Sequence, residues 1–569
     1  MIADKLFNDW LACATADPDL ISELTALRDT GDIDGIKDRF YRTLSFGTGG
    51  LRGVIGAGTN RMNIYTVRQA AQGLANYLKG SDEPQKVAIA YDSRIKSESF
   101  ARQAALVLAA NGIEAWLYPR LMPTPALSYA VRYLGCGAGV CITASHNPAA
   151  YNGYKVYGSD GGQITEDIAS AIQAEIARIN PFDSVCIDES YAEGNIYYIG
   201  EEVVDSYLQA VLAQRIGAGL NITPLNIVYT PLNGAGLECI TRVFGMAGYG
   251  NATVVPEQEA PDGYFPTCPF PNPENKEAMQ KGLELCKTLH ADLLLATDPD
   301  CDRVGVAVCK SDDSENYQLL NGNEVGILLL DYICRQRIKC GIMPENPIAI
   351  KTIVTTALAE KIAAHYSVQL INVLTGFKYI GEQIGRLEKT GESRRFIFGF
   401  EESYGYLSGT YVRDKDAVNA CLLICDMAVW YKQQDLSLAD AITLLYKRFG
   451  YCVNGLESID YPGAKGYEDM QAVMLNLREM PPAAICGYQV ISTKDYLWQK
   501  SQTHGSLPSS DVLQFTMDDQ TLLTIRPSGT EPKLKFYLSV TRDNKEDAER
   551  ELVEYKEGFI KLLTSILEV

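Results

Sequence analysis

The sequence predicts an α/β protein: three similar α/β domains with mixed sheets, followed by a C-terminal α+β domain. Apolar runs rich in β-branched residues alternate with helix-like stretches, which is typical of βαβ units around a buried, parallel or mixed sheet. This rhythm occurs three times along the chain. The predicted strands are residues 87–91, 115–118 and 140–143 in the first series, 226–230, 252–255, 292–296 and 304–308 in the second, and 348–352, 369–374 and 396–400 in the third.

The last part of the chain has a different pattern. Residues 512–517, 522–525 and 534–540 are closely spaced predicted strands, and an amphipathic helix follows over 544–567. Strands in sequence followed by a helix favour an α+β module. Stretches rich in proline or in polar residues, 261–275 and 311–323, interrupt the pattern further upstream. We therefore predict four domains, over residues 1–200, 201–311, 312–433 and 434–569.

The charge balance argues against two classes of partner. The 569 residues include 51 Lys and Arg against 71 Asp and Glu, a formal net charge of −20. A nucleic-acid binder needs a basic footprint to displace counterions from phosphates, and anionic membranes attract basic segments. The content of 46% hydrophobic and 21% charged residues is that of a folded globular protein. We expect no nucleic acid and no membrane among its partners.

Three observations indicate a cytoplasmic protein. Residues 1–20 carry charged side chains throughout, so they lack the apolar core of a secretory signal. The apolar stretch 417–431 is broken by Asn419 and Asp426 and is shorter than the roughly 18 residues of a membrane span. The 15 cysteines form no C-x-x-C pair, as expected of buried thiols in a reducing compartment. We expect neither a zinc site nor a disulfide framework.

The segment from Asp298 to Arg303 is the sharpest candidate site. Asp298, Asp300 and Asp302 alternate directly after the predicted strand 292–296. Three carboxylates in a loop that a proline keeps from becoming helix can converge on one hard cation, which suits Mg²⁺. The glycine and glutamate that an EF-hand requires further along are missing. Arg303 is placed to hold a phosphate; the alternative is an acidic surface turn.

A second loop, residues 143–148, follows the predicted strand 140–143 and contains Ser145 and His146. The serine could be a nucleophile, although the G-x-S-x-G elbow of α/β-hydrolases is missing around it. It could instead carry a phosphoryl group beside the cation held by the aspartates. An ordinary turn is also compatible, because Asn-Pro favours turn initiation.

Three further loops could bind anions or sugars, although each could also be a plain turn. The glycine-dense segment 46–53 contains Arg52 and is not a nucleotide-binding P-loop. Carboxylate and hydroxyl groups in 399–406 could hydrogen-bond a polyol. The segment 526–530 combines an arginine, two hydroxyls and a glycine in a compact anion nest. The candidate residues in the last two loops are Glu401, Ser403, Arg526, Ser528, Gly529 and Thr530.

These five motifs, in this order and spacing, resemble the α-D-phosphohexomutase superfamily, and within it the bacterial-type phosphoglucomutases. The resemblance extends over residues 46–537. It implies a heart-shaped enzyme in which each of the four domains supplies one loop to a central cleft. By this resemblance the domains carry, in chain order, the phosphoserine, the metal ion, the sugar and the second phosphate.

The resemblance also implies roles for individual residues. Ser145 would be phosphorylated in the resting enzyme, and a phosphoserine oxygen would join the three aspartates on Mg²⁺. Arg52, His146 and Lys155 are implied as phosphate contacts or proton-transfer partners. The implied sugar and phosphate contacts are Arg303, Thr375, Gly376, Lys378, Glu401, Ser403, Lys415, Arg526, Ser528, Gly529 and Thr530. Where relatives usually carry a histidine, this chain has Asn233, which argues against an imidazole role there.

The activity implied by the resemblance is the interconversion of glucose 1-phosphate and glucose 6-phosphate, with glucose 1,6-bisphosphate as intermediate and activator. The Glu-Glu-Ser form of the 399–406 loop resembles glucose-preferring members. The related alternatives are phosphopentomutase, phosphomannomutase and glucose-1,6-bisphosphate synthase. The implied partners are therefore hexose phosphates, with pentose phosphates as the alternative. Two unrelated alternatives are a metal-dependent phosphatase and a catalytically silent sugar-phosphate sensor. We expect a monomer or a weak homodimer.

Overall fold

The computed structural model describes residues 2–47, 49–217, 224–310, 313–497, 507–528 and 533–567. Four sheets organise these residues, and we refer to each sheet with its helices as units 1 to 4. The sheets of units 1 to 3 mix parallel and antiparallel pairs, and the sheet of unit 4 is antiparallel. The predicted fold class, three similar α/β parts and a C-terminal α+β part, is confirmed.

Unit 1 has a six-stranded sheet in the order β1-β5-β4-β2-β3-β6. Its strands β2, β3 and β4 are parallel, and β2 and β4 are almost completely buried, as the apolar runs predict. The strands are β1 (Gly50–Val54), β2 (Lys86–Tyr91), β3 (Glu114–Leu117), β4 (Ala138–Ile142), β5 (Tyr151–Gly158) and β6 (Ile196–Tyr198). The helices are α1 (Ile2–Cys13), α2 (Pro18–Thr30), α3 (Ile33–Phe40), α4 (Ile64–Lys79), α5 (Ser97–Ala110), α6 (Thr124–Leu134), α7 (Glu166–Ile176) and α8 (Glu189–Ala192).

Unit 2 has the strand order β11-β10-β9-β7-β8. The polar stretch 311–323, expected only to interrupt the pattern, contains the whole of the edge strand β11, whose residues 316–319 are exposed or partly exposed to water. The strands are β7 (Ile227–Thr230), β8 (Thr253–Val254), β9 (Leu293–Thr297), β10 (Val304–Lys310) and β11 (Asp313–Leu320). The helices are α9 (Glu201–Leu212), α10 (Leu237–Ala247), α11 (Pro256–Glu259) and α12 (Lys276–Leu289).

Unit 3 has the strand order β13-β12-β14-β15, and only β15 is antiparallel. Its helix α16 is apolar all round because it is buried all round, packed against α10 and α13. The strands are β12 (Ile348–Thr352), β13 (Gln369–Val373), β14 (Phe396–Glu401) and β15 (Gly405–Leu407). The helices are α13 (Gly322–Lys339), α14 (Leu358–His365), α15 (Phe377–Lys389), α16 (Ala417–Lys432) and α17 (Leu438–Phe449). No helix among the described residues is long and apolar enough to span a membrane.

Unit 4 is a six-stranded antiparallel sheet in the order β16-β21-β20-β19-β18-β17. It contains the three predicted strands and adds three that the sequence pattern did not reveal, β16, β17 and β18. The strands are β16 (Tyr451–Asp460), β17 (Ala484–Ile485), β18 (Tyr488–Asp495), β19 (Leu513–Met517), β20 (Leu522–Pro527) and β21 (Lys533–Arg542). The helices are α18 (Gly463–Glu479) and α19 (Lys545–Leu567).

The distribution of buried side chains separates unit 4 from the rest. One large apolar cluster runs through units 1, 2 and 3, with members such as Tyr118, Tyr229 and Ile350. Unit 4 has a cluster of its own around Phe515 and Phe559 and enters the large one through only a few side chains. Units 1 to 3 are therefore held as one body by shared core, because packed apolar contacts are the main favourable contribution to association.

Three of the candidate loops lie at the C-terminal ends of strands. Ser145 follows β4, Asp298 follows β9, and Glu401 ends β14. In open α/β sheets ligands bind beyond the carboxyl ends of the strands. The folding of three such sheets against one another therefore brings the three loops to one place.

The glycine at the start of α13 tests how tightly this arrangement is packed. A Cβ on Gly322 would lie 2.0 Å from the carbonyl oxygen of Glu402, in the turn between β14 and β15. We expect Gly322→Ala to lower stability by about 1–3 kcal/mol and to displace that turn, which thermal unfolding and kcat/KM would both register. Gly245→Ala in α10 is the control, because its Cβ would meet nothing within 4 Å. An equal melting temperature for the two variants would contradict the packing described.

Candidate active site

Ser145 sits at the centre of the candidate site. It is 3% exposed and has a φ of 52°, a left-handed conformation that a serine rarely adopts. Its backbone N–H donates to Oγ1 of Thr143 (2.8 Å), and its hydroxyl donates to Oδ2 of Asp298 (2.8 Å). The hydroxyl also lies 3.1 Å from Nδ1 of His146. The strained turn thus points the serine oxygen at the aspartate loop of unit 2.

Two residues that the sequence analysis missed, Asp92 and Arg94, fix this turn. Arg94 is 3% exposed, and its guanidinium donates to the backbone carbonyls of Ser145, Asn147, Pro148 and Tyr151. Asp92 accepts from the Thr143 hydroxyl (2.6 Å) and from the backbone N–H of Arg94 (2.9 Å). Both follow β2, the parallel neighbour of β4. The strand-end rule that selected Ser145 would also have found them.

The three aspartates converge as the sequence predicts. Asp298, Asp300 and Asp302 are at most 2% exposed, and one carboxylate oxygen from each lies within 4.8 Å of the others. Cys301, between them, has a φ of 54° and closes the turn through an N–H bond to the Asp298 carbonyl (2.8 Å). Oδ1 of Asp298 accepts from the backbone N–H groups of Asp302 and Arg303. The loop geometry is therefore fixed by its own backbone.

Asn233 lies in the segment after β7 that packs against the aspartate loop. Its φ of 56° is one that asparagine tolerates better than most residues, and its side-chain amide donates to the Ala260 carbonyl (2.8 Å). The following glycine lets the backbone approach Pro299, because a Cβ on Gly234 would lie 2.5 Å from the Pro299 Cα. Asn233 is thus tied to the backbone of residues 257–262, while the next two residues contact the aspartate loop, Ala235 through an N–H bond to the Pro299 carbonyl (2.8 Å).

Two lysines from different units neutralise the aspartates. Lys155 on β5 lies 2.7 Å from Asp300, and Lys415 of unit 3 lies 3.1 Å from Asp302. Burial would lower the pKa of Lys155, but Asp300 and Asp302 raise it above its ordinary value. Burial likewise disfavours the charge of Lys415, while Asp302 and other carboxylates raise its pKa. Both lysines therefore stay charged.

The carboxylates respond unequally to these lysines. Burial would raise the pKa of Asp300, but Lys155 holds it below its ordinary value. Burial and the charges of Asp300 and Asp302 raise the pKa of Asp298 well above its ordinary value. Asp298, whose other oxygen accepts from the Ser145 hydroxyl, is the aspartate of the three that forms no direct ion pair with a described lysine or arginine, although Arg303 lowers its pKa from a greater distance.

The donor set fits a hard divalent cation. The Oδ1 atoms of Asp300 and Asp302 are buried and have no hydrogen-bond partner. Unpartnered buried carboxylate oxygens are costly unless a cation or a proton satisfies them. The three carboxylates offer oxygen ligands only, and such a set suits Mg²⁺.

Basic groups surround the serine on its other side. His146 is half-buried, and desolvation together with Arg303 and Arg52 lowers its pKa well below the ordinary value, so its ring is neutral at pH 7. Arg303 donates to Oε1 of Glu274 (2.8 Å), and its Nε is buried without a partner. Arg52 on β1 lies within 3.4 Å of Oδ1 of Asn147. Both guanidinium groups are placed near the serine, as the sequence predicts.

The unit 3 loop joins the site through Glu401 and Lys415. Oε1 of Glu401 accepts from the backbone N–H of Gly376 (2.9 Å), and a Cβ on Gly405 would lie between Lys415 and Glu401. Burial raises the pKa of Glu401 to about 7, against the lowering effect of Lys415. Ser403 lies in the turn after β14, and the Thr375 hydroxyl is buried without a partner. Glu401 therefore lies beside Gly376 and Lys415, and Ser403 and Thr375 are close to them along the chain.

Lys378 is held in a different direction. Its ammonium group donates to Oε1 of Glu166 on α7 (2.6 Å), and the side chain is 6% exposed. Tyr379 donates to the same oxygen. The resemblance places Lys378 among the sugar contacts, in the loop with Thr375 and Gly376; in the structure its ion pair with Glu166 links unit 3 to unit 1.

Unit 4 contributes Arg526 at the end of β20. Arg526 donates to the Tyr537 hydroxyl (3.2 Å), and its Nε is buried without a partner. The backbone N–H of Ser528 donates to the Lys533 carbonyl (2.7 Å). The other two predicted members of this loop, Gly529 and Thr530, lie outside the described residues. An arginine with an open Nε next to a turn is a suitable phosphate contact.

Taken together, the site can support phosphoryl transfer. It holds a serine oxygen aimed at a carboxylate cluster, with cationic side chains around it that can offset charge on the oxygens of a transferred phosphoryl group. A second anion contact in unit 4 stands apart from the serine. An arrangement with two anion contacts suits a substrate that carries phosphate at one end and accepts or loses one at the other.

Family models match three stretches of the chain. They are described as phosphoglucomutase/phosphomannomutase alpha/beta/alpha domain I, domain II and domain III, and they match residues 43–182, 205–311 and 321–449. Together these matches take in most of the chain and the loops with Ser145, Asp298 and Glu401.

Comparisons with whole proteins agree with the family models. The chain is 35% identical to the phosphoglucomutase of Staphylococcus haemolyticus, over 91% of this chain and 94% of that protein. It is 39% identical to the "Probable phosphomannomutase" of Haemophilus influenzae, over 88% and 98%. The fold matches parafusin (phosphoglucomutase) from Paramecium in its open form, with a TM-score of 0.67 and 16% identity over 93% of this chain and 96% of that one. The chain belongs to the phosphoglucomutase/phosphomannomutase family, within the α-D-phosphohexomutase superfamily.

Proposed function

We propose that this protein is a phosphoglucomutase, which interconverts glucose 1-phosphate and glucose 6-phosphate through a phosphoserine at position 145 and a glucose 1,6-bisphosphate intermediate. The observation that carries the proposal is the 2.8 Å contact from the Ser145 hydroxyl to Asp298, within a buried cluster of three aspartates. A phosphate on that oxygen would stand among Lys155, Arg303 and Arg52. The phosphoglucomutase relatives at 35% and 36% identity support the glucose substrate.

In the proposed reaction the phosphoserine P–O bond breaks while a bond forms from phosphorus to the free hydroxyl of the sugar. The proton of that hydroxyl leaves to a neighbouring base, and the resulting bisphosphate turns over in the cleft. Its other phosphate then returns a phosphoryl group to Ser145. Lys155, Arg303 and Arg52 offset charge on the transferred oxygens, and neutral His146 can take or return the proton of the serine hydroxyl.

Asp298, Asp300 and Asp302 would hold Mg²⁺, together with an oxygen of the phosphoserine. A bound Mg²⁺ supplies Lewis-acid stabilisation of charge on phosphoryl oxygens. Glu401, Ser403, Thr375, Gly376 and Lys415 would hold the sugar hydroxyls. The contacts for the phosphate that is not transferred would be Arg526, Ser528, Gly529 and Thr530.

A second candidate substrate is mannose 1-phosphate, since the relative at 39% identity is named as a phosphomannomutase. The test is isomerisation of glucose 1-phosphate, mannose 1-phosphate and ribose 1-phosphate by the purified protein, primed with glucose 1,6-bisphosphate. We expect at least a tenfold preference in kcat/KM for glucose 1-phosphate. Equal rates for glucose 1-phosphate and mannose 1-phosphate would contradict the glucose preference, and phosphate release without isomerisation would contradict the mutase activity.

We further propose a cytoplasmic protein that is a monomer or a weak homodimer.

The phosphoserine gives the first prediction for the site. Intact-mass and peptide analysis of the purified wild type should find one phosphoryl group on Ser145. Ser145→Ala should lose that group and more than 1,000-fold of kcat, on the order of the effect of removing a covalent nucleophile, without a change in melting temperature. Ser565→Ala on the exposed side of α19 is the matched control and should keep full activity. An active Ser145→Ala enzyme would contradict the mechanism.

The aspartate cluster gives a prediction that does not depend on turnover. After treatment with a chelator, addition of Mg²⁺ should raise the melting temperature of the wild type, because a ligand that binds only the folded state stabilises it. Asp300→Asn should abolish this shift, whereas the exposed Asp82→Asn should retain it. A Mg²⁺-dependent shift of the same size in Asp300→Asn would show that the ion binds elsewhere.

Glu401 gives a pH dependence. Its pKa is raised to about 7 by burial, so the carboxyl becomes protonated below that pH and loses acceptor capacity for sugar hydroxyls. We expect kcat/KM to fall as pH decreases below about 7, by up to tenfold per pH unit. Glu401→Gln should remove this acid limb and lower the plateau, while the exposed Glu468→Gln should leave the profile unchanged. An acid limb that persists in Glu401→Gln would assign it to another group.

A further inference from the structure

A cavity of about 690 Å³ lies outside the active site, at a junction of units 1, 2 and 3. None of the candidate active-site residues lines it. Its walls come from α6, the end of α9, the segment after α13, the end of α15 and the loop after β15. Its polar lining residues are Arg132, Gln214, Arg337, Glu388, Ser393, Arg394 and Thr410. The volume is within the range of sites for small molecules, about 300–1,000 Å³.

The cavity has more positive than negative charge. Three arginines line it together with one glutamate, Glu388. That glutamate is already shared, because it pairs with Arg132 (2.8 Å) and with the buried Arg413 (2.6 Å). The remaining guanidinium groups, those of Arg337 and Arg394, form no ion pair with any residue that the structure describes. A concentration of uncompensated arginines is unusual on a chain of net charge −20.

Arg337 is the clearest sign of a missing partner. Its side chain is partly buried, and its Nε is inaccessible to solvent and without a hydrogen bond. Burial also lowers its pKa from the ordinary value, with no carboxylate in its surroundings to oppose the effect. Desolvating a guanidinium without a partner costs free energy that an anion with several acceptor oxygens would recover.

The cavity shares a chain segment with the active site. Residues 409–411 line the cavity, and the same loop continues to Lys415, which contacts Asp302. Tyr411 donates to Oδ2 of Asp416 (2.6 Å), and Arg413 donates to the carbonyl of Thr410 and to Glu388. A ligand seated in the cavity therefore touches a loop whose other end holds a lysine of the aspartate cluster.

We propose that this cavity is a regulatory anion site that takes a small phosphorylated metabolite, held by the guanidinium groups of Arg337 and Arg394. Arginine forks match the oxygens of a phosphate ester in pairs, and the hydroxyls of Ser393 and Thr410 with the amide of Gln214 suit the hydroxyl-bearing part of such a molecule. A sugar phosphate and a nucleotide monophosphate share this chemistry, and the experiment separates them.

The test uses fructose 1,6-bisphosphate and AMP as probes, with the full-length wild type. Calorimetric titration should give binding at sub-millimolar concentration for at least one probe, and hydrogen exchange should show protection of residues 337–344, 388–396 and 409–411. Arg337→Ala should weaken binding by at least about tenfold, the loss of one charge-assisted contact. Arg386→Ala is the matched control, since it removes an exposed arginine of α15 that pairs with Glu382 outside the cavity.

Arg526→Ala tests whether the probe binds at the active site instead. This variant should bind the probe as the wild type does and should show protection of the same segments. The probe should also change the KM for glucose 1-phosphate at least twofold in the wild type and leave Arg337→Ala unaffected. No binding by either probe, equal binding in Arg337→Ala and Arg386→Ala, or protection confined to the active-site loops would overturn the site. Binding without an effect on KM or kcat would overturn its regulatory role. Probe binding is measured without turnover, so it can be detected even if the protein is not a phosphoglucomutase.

Discussion

The burial of three carboxylates in one short loop is the constraint on which the rest of the structure depends. Asp298, Asp300 and Asp302 have almost no exposure to water, and such a cluster cannot persist without compensating positive charge. Unit 2 does not supply enough of it. Lys155 comes from unit 1 and Lys415 from unit 3, so neutralising the cluster requires the three units to be assembled. The apolar core that runs through the same three units fixes that assembly.

The same constraint explains why unit 4 can be different. Its sheet is antiparallel, its core is largely its own, and it supplies no partner for the aspartates among its described residues. Its contribution is Arg526, whose buried Nε is left without a partner. In the proposed mechanism unit 4 would hold only the distal phosphate, and for that role it would need no shared core with the aspartate loop. It can therefore dock against unit 3 through polar contacts such as that of Gln514 with the Ile353 carbonyl.

How much of this the sequence predicts depends on the range of the interaction concerned. The strand-end positions of Ser145, Asp298 and Glu401 follow from local pattern, because an apolar strand followed by a polar loop is visible in the chain. Asp92 and Arg94 obey the same rule, but their role is to hold another loop, and that pairing is visible only after β2 and β4 are known to be neighbours. The direction taken by Lys378 depends on Glu166, more than 200 residues earlier, and no local signal indicates it.

An acidic protein that binds a dianionic sugar phosphate, as proposed, must attract it through charges close to the binding site. The net charge of −20 opposes the approach of a sugar phosphate at long range, although salt screens that field over about 8 Å at physiological ionic strength. Around the aspartate loop the relevant charges are those within a few ångströms. Lys155 is buried and Lys415 and Arg303 are partly buried, so each interaction is stronger than at the surface. The aspartates contribute much of the local negative charge, and a bound cation turns that charge into attraction for phosphate. By this proposal, an acidic body whose aspartate loop holds a cation would repel polyanions in general and still retain a small phosphorylated ligand.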